Sequence, residues 1–198
     1  MGGLQFETAL GGIDIGIYLP SARVGVLSAD TALAIPDFRA EERTFQLVSQ
    51  VAGRAGRGVD PGVVIVQTLD PDQPAIRLAA EHDYDTFAAR ELVNRAEAGY
   101  PPSVRMARVV SRDTNLDKAR DASVEIARAI RCLDDRGLRI DGPMPCAIPR
   151  IADHFRFSVE ITARSAGLIQ RAMGTLRERK LLKSDASTAV DVDPVSLM

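Results

Sequence analysis

The sequence predicts an α/β chain of two unlike parts, the closing portion of a parallel sheet followed by an antiparallel sheet with two helices on one face. Three observations carry this. Two short β-branched runs, at 23–29 and 62–68, flank a stretch with helical spacing, the order of a βαβ unit. Tyr100, Pro101 and Pro102 then interrupt the chain, since proline lacks a donor and disfavours helix in the residue before it. Beyond them the periodicity reads strand, helix, strand, strand, helix, strand.

Residues 1–22 carry five glycines and only weak periodicity, so no stable element is expected there. Residues 23–29 read as a buried strand with Asp30 at its carboxyl end, where α/β folds place ligand-facing residues. Phe45, Val48, Val51 and Ala52 then follow the spacing of a helix packed on one side, which Gly53, Gly56 and Gly58 are expected to end. After the strand at 62–68, helical sequence runs to Glu97 with a break near His82. In the second part the strands are expected at 106–111, 138–141, 155–162 and 188–192, and the helices at 116–133 and 168–182. The second strand should stop at a Gly142-Pro143 turn, and Phe155, Phe157, Val159 and Ile161 should alternate inward. The order βαββαβ is that of the split-βαβ, ferredoxin-like arrangement.

Composition narrows the function classes. With 198 residues, 45% hydrophobic and 26% charged, the chain can bury a core and is not of disordered composition. No apolar run approaches the roughly 20 residues that span a bilayer, and no secretory leader is visible. A cytoplasmic location without a membrane partner is expected. Two cysteines, Cys132 and Cys146, and two histidines follow no ligand spacing, so neither a zinc or other metal site nor a disulfide framework is expected. Charge is uneven. Residues 1–100 hold 8 Arg, no Lys and 14 acids (−6); residues 101–198 hold 14 Arg, 3 Lys and 13 acids (+4). A basic second part is compatible with a nucleic-acid surface and equally with a solvated face.

The most informative string is Gln50-Val51-Ala52-Gly53-Arg54-Ala55-Gly56-Arg57-Gly58. Arg54 and Arg57, three residues apart, share one helical face, and guanidinium forks grip phosphate oxygens in pairs without losing their charge. The same arginines would also complement the negative end of a helix dipole. Among the later cations, Arg150 and Arg156 stand beside Phe155 and Phe157, a mixture of guanidinium and aromatic face that suits single-stranded nucleic acid. Arg177, Arg179, Lys180 and Lys183 cluster at the end of the last helix, where a solvated helix end explains them as well. Asp191 and Asp193 have no third ligand and read as structural.

The string from Gln50 to Gly58 resembles motif VI of superfamily 2 helicases. The segments around it resemble the primosomal protein N′ (PriA) family of replication-restart DNA helicases. They are Asp30-Thr31-Ala32-Leu33, Pro36 through Leu47, Asp83-Tyr84-Asp85-Thr86-Phe87, Tyr100-Pro101-Pro102, Gly142-Pro143-Met144-Pro145 and Val190 to Pro194. The resemblance implies that residues 23–99 are the C-terminal part of a second RecA-like helicase domain and that residues 100–198 are the family's C-terminal DNA-binding domain. It implies Arg57 as an arginine finger with Arg54 beside it, Gln50 and Gly53 as nucleotide-binding companions, and Arg150 and Arg156 as DNA-binding residues. It further implies ATP and Mg²⁺ as cofactors of the full-length protein, movement 3′ to 5′ on DNA, and assembly at stalled forks. Expected partners are branched and single-stranded DNA, the tail of a single-strand-binding protein and other primosome proteins.

No Gly-x-x-x-x-Gly-Lys-Ser/Thr loop or DEAH-like run occurs in the sequence, so it holds no triphosphate cradle of its own. Where the family carries its motif V, only Gly12, Ile13 and Asp14 correspond. The expectation is a C-terminal fragment of a helicase, not active alone. The alternative is a stand-alone nucleic-acid or protein-binding module that carries a helicase remnant.

Overall fold

The computed structural model describes residues 5–6, 23–55, 63–133, 135–183 and 185–197. The chain divides into two compact units, Met1–Val93 and Asn94–Met198.

In the first unit, β1 (Gln5–Phe6), β2 (Arg23–Val26) and β3 (Val63–Val66) form a parallel sheet in the order β1-β3-β2. Residues 5 and 6 pair with Ile65 and Val66 inside the segment where no element is expected, because two residues are too few to show a period. The rest of that segment lies outside the described residues. The helices are α1 (Asp30–Leu33), α2 (Ala40–Ala55), α3 (Pro74–Ala80) and α4 (Tyr84–Ala98). Helix α2 starts where Asp37 fixes it. This buried carboxylate accepts the Arg39 N–H at 2.9 Å and pairs with the Arg43 guanidinium at 3.1 Å. Phe45 and Val48 then pack with Val64, Val66, Ile76 and Phe87, and the Phe45 and Phe87 rings stack with centroids 4.2 Å apart. Each such side chain contributes about 1.5–3 kcal/mol when fully buried.

Asp30, half-buried after β2, has partners within the unit. Its two carboxylate oxygens accept the Thr68 hydroxyl and the Leu69 N–H, both at 2.8 Å, so it clasps the ends of β2 and β3. The helix expected over 38–55 is α2, Ala40–Ala55. Gly53 is exposed there, and a Cβ on it would meet nothing within 4 Å. The break expected near His82 falls between α3 and α4, where His82 takes a φ of 57°. Asp83 then caps α4 by accepting the Thr86 N–H at 3.0 Å. The Thr86 hydrogen bonds hold the Asp83 carboxyl below its ordinary range.

The second unit contains β4 (Arg105–Asp113), α5 (Leu116–Arg131), β5 (Leu138–Ile151), β6 (His154–Ala163), α6 (Ala166–Glu178) and β7 (Thr188–Val192). The sheet order is β5-β6-β4-β7 and every neighbouring pair is antiparallel. This is the split-βαβ arrangement. Asn115 and Ser165 cap the two helices by accepting the N–H groups of Lys118 and Leu168. Apolar residues at helical spacing on α5 (Ile126, Ile130) and α6 (Ile169, Leu176) meet the alternating Val109, Val159 and Ile161 of the sheet. At the end of β7 the Asp193 carboxylate pairs with Arg105 and accepts the Met106 N–H at 3.3 Å, tying β7 to the start of β4.

Strand β5 is longer than expected. Gly142 and Pro143 do not turn the chain away; β5 stays on β6 and absorbs the extra residues as register shifts between Asp141 and Met144 and between Pro145 and Arg150. Gly142 makes this possible. Its φ is 100°, and a Cβ there would lie 2.7 Å from the Ser158 carbonyl oxygen.

Candidate nucleic-acid interface

The hairpin of β5 and β6 holds the two arginines expected to contact DNA. Arg150, near the end of β5, lies with its guanidinium 5.1 Å from the Phe155 ring centroid, within the range of a cation–π contact. Its Nη2 also pairs with Asp153 at 2.9 Å. Arg156, on β6, donates from Nη1 to the Ile148 carbonyl at 3.3 Å, across the hairpin. Phe155 and Phe157 do not follow Val159 and Ile161 into the core cluster; both are half-buried. A guanidinium over a partly exposed ring leaves an aromatic edge and a charge available to one ligand.

The register adds a residue that the linear sequence does not single out. Arg112, the eighth residue of β4, lies directly opposite Arg156 on the neighbouring strand. Directly opposed residues on antiparallel strands have Cβ atoms about 4.5–5.5 Å apart, and like charges there repel. The Arg112 Nε is buried and has no hydrogen-bond partner among the described residues. Two arginines at directly opposed positions form an arrangement whose repulsion an anion would relieve. Pair registers are set by the fold and leave no local signal, which is why Arg112 escapes a sequence reading.

Further along the same strands, Arg108 is opposite Glu160 on one side and Asp191 on the other, and Glu160 is opposite Asp141. Arg108 and Glu160 are 4% and 9% exposed. Arg108 thus stands between two acids at directly opposed positions, a structural arrangement, whereas Glu160 and Asp141 are like charges, and Asp141 pairs instead with Arg139 at 2.8 Å.

In the first unit, Gln50 is exposed on α2 and lines a shallow groove of 550 Å³ with Arg43, Phe45 and Tyr84. Gly53 is one turn further on. The Arg54 side chain and all of Arg57 lie outside the described residues. Among the described residues no group of three or more His, Cys, Asp or Glu comes together to hold a metal. Among the described residues no helix is long and apolar enough to cross a membrane.

The family model described as the primosomal protein N C-terminal domain matches residues 96–195. The chain belongs to the PriA family. Its similarity extends beyond that domain, for it is 37% identical over 184 residues to the replication restart protein PriA of Treponema pallidum, covering 92% of this chain and 28% of that protein. To the protein of the same name from Bacillus subtilis it is 37% identical over 178 residues, 88% of this chain and 22% of the relative. To that of Synechocystis it is 35% identical over 174 residues, 88% of this chain and 21% of the relative. The chain thus spans about a quarter of the length of the PriA proteins it matches.

Proposed function

We propose that this chain supplies the C-terminal region of a replication restart helicase, an ATP-dependent enzyme that moves 3′ to 5′ on DNA and promotes primosome assembly at stalled forks. The observation that carries the reading is the similarity to replication restart proteins over 92% of the chain, which takes in both units. On this reading residues 23–99 are the end of a second RecA-like domain. Arg57 is the finger reaching a γ-phosphate held by residues outside this sequence, with Arg54, Gln50 and Gly53 beside it. ATP, when bound with Mg²⁺ in the complete protein, supplies the driving force. The role of the chain's own residues is to place fixed positive charge against the transferred phosphoryl group, a contribution worth roughly 10³–10⁵ in rate in NTPases.

The second unit holds DNA. Arg150 and Arg156 grip phosphates while the Phe155 face meets a base, the combination found where single strands are bound without sequence preference. Contacts with the acidic tail of a single-strand-binding protein and with other primosome proteins belong to the same cytoplasmic context. A second reading, a stand-alone nucleic-acid or protein-binding module, draws on the separate core of the second unit, where thirteen buried residues cluster without help from the first.

The test is binding of the purified chain to a labelled fork with a 3′ arm and to a single strand, titrated across salt, with ATP hydrolysis assayed alongside. Salt-dependent binding without hydrolysis is expected. Hydrolysis by the chain alone that disappears in Arg57→Ala would overturn the assignment of the phosphate cradle to residues outside it. Absence of DNA binding would overturn the DNA-holding role.

A further inference from the structure

The chain has 22 arginines and only three lysines, Lys118, Lys180 and Lys183. All three line one groove of 420 Å³ in the second unit. They reach it from different elements. Lys118 is in the first turn of α5, whereas Lys180 and Lys183 follow the end of α6. In the split-βαβ topology the end of β4, the start of α5, the end of α6 and the starts of β6 and β7 all come to one end of the unit, and the groove lies there.

Arginine outnumbers lysine about sevenfold here, so the choice of lysine at this one place has a physical meaning. A lysine is a compact point charge with three rotatable donors, suited to phosphate oxygens whose spacing varies along a flexible strand. The three lysines are exposed, and no ion pair among the described residues engages them. The lining holds four cations, Arg112 and the three lysines, against the three carboxylates Asp113, Asp121 and Glu125, and Asp121 also pairs with Arg120 at 3.2 Å. Positive charge is left for a ligand.

The groove also has a continuation. Arg112 lines it and is the residue directly opposite Arg156, which leads to the hairpin and to Arg150 over Phe155. Neighbouring strands are about 4.8 Å apart, so the four strands span about 14 Å at this end. An extended single strand spaces its phosphates more widely than the 3.4 Å or so of axis per charge of a duplex strand, so fewer than about four phosphates fit along that path. An extended polyanion matches a track of this length. An acidic peptide matches it less well, because among the described residues Ile126 and Leu181 are the only large apolar ones lining the groove and a peptide would need a deeper apolar anchor.

We propose that the groove lined by Lys118, Lys180 and Lys183, continued through Arg112 to Arg156, is a backbone-phosphate track for single-stranded nucleic acid. The proposal rests on the DNA-binding reading above and adds to it the path of the strand. Lysine contacts with phosphate carry no sequence information, so the track positions the strand and leaves base stacking to the hairpin.

The test measures binding of the full chain to a labelled single-stranded oligonucleotide as a function of salt, for the unaltered protein, for Lys118→Gln with Lys183→Gln, for Lys118→Arg with Lys183→Arg, and for Arg150→Ala with Arg156→Ala. The glutamine pair should weaken binding alike for different sequences and lower the slope of log K against log salt by about 1.4, at about 0.7 for each phosphate that is no longer neutralised. The arginine pair should keep the slope. Circular dichroism checks that each variant is folded. A slope unchanged in the glutamine pair but lowered in Arg150→Ala with Arg156→Ala would overturn the track and leave the hairpin reading standing. Loss of binding to a labelled aspartate-rich peptide in the glutamine pair, with the DNA slope unchanged, would overturn the nucleic-acid assignment in favour of a peptide. An unaltered chain that binds no oligonucleotide would overturn the hairpin reading and the track together.

Discussion

Gly142→Ala should damage the second unit from a single methyl group. At φ 100° an L-residue is strained by about 1–3 kcal/mol. The new Cβ would also stand 2.7 Å from the Ser158 carbonyl oxygen, 3.2 Å from the Met144 nitrogen and 3.4 Å from the Val159 Cα. All three are backbone atoms, so no side chain can swing aside, and relief requires β5 to move away from β6 at about 1–3 kcal/mol more. The sum is about 2–6 kcal/mol, with about 4 as the central value. Amide hydrogen exchange read on peptides covering residues 154–163 isolates the effect, because β6 is the inner strand that opens only with its unit. A loss of about 4 kcal/mol is close to a thousandfold fall in protection. Protection within tenfold of the unaltered chain would refute the argument that this bulge requires glycine. Because the second half of β5 leads to Arg150, the same variant should weaken single-strand binding even at temperatures where the unit remains folded.

Three further outcomes follow from local geometry. Gly174→Ala is the converse of Gly142→Ala: the residue lies within α6, a Cβ there meets nothing within 4 Å, and alanine should raise β6 protection by about 0.5–1 kcal/mol. Leu176→Ala empties a fully buried position between α6 and the sheet and should cost about 2–5 kcal/mol in the same exchange experiment. Asp83→Ala tests the α4 cap by acid titration. The folded carboxyl lies below its unfolded value of 3.8, so its contribution is complete above pH 3.8 and is lost as pH falls through the folded value. Thermal melts should therefore show the variant less stable at pH 7, and the two proteins should converge in more acid solution; a gap that persists at pH 2 would mean that the carboxylate is not what stabilises the cap.

Much of the fold is legible in the sequence, and the exceptions share a cause. Ile126, Ile130, Val159 and Ile161 show their periods without ambiguity, because one face of each element is buried against the others. The break at His82 is local and equally readable. Strand β5 is misjudged at Gly142 and Pro143 because these residues usually turn a chain, and only the neighbouring β6 keeps the strand in line. The clasp made by Asp30 leaves no local signal, because its partners Thr68 and Leu69 lie nearly 40 residues away. The site divides in the same manner. Arg150 and Arg156 stand out beside aromatic residues, whereas Arg112 and the lysine groove depend on register and topology that bring positions 112, 118, 156 and 180 to one end of a sheet.

The irregular course of β5 has a further effect. Among the described residues this strand pairs only with β6, so within the sheet its other side is an edge fourteen residues long, the kind of surface on which a second chain can add a strand and begin to aggregate. Pro143, Pro145 and Pro149 remove three N–H groups from it, and the two register shifts bend what remains out of a straight template. The opposite edge, β7, is protected in another manner, by being five residues short. Together these two features oppose growth of the sheet at either end.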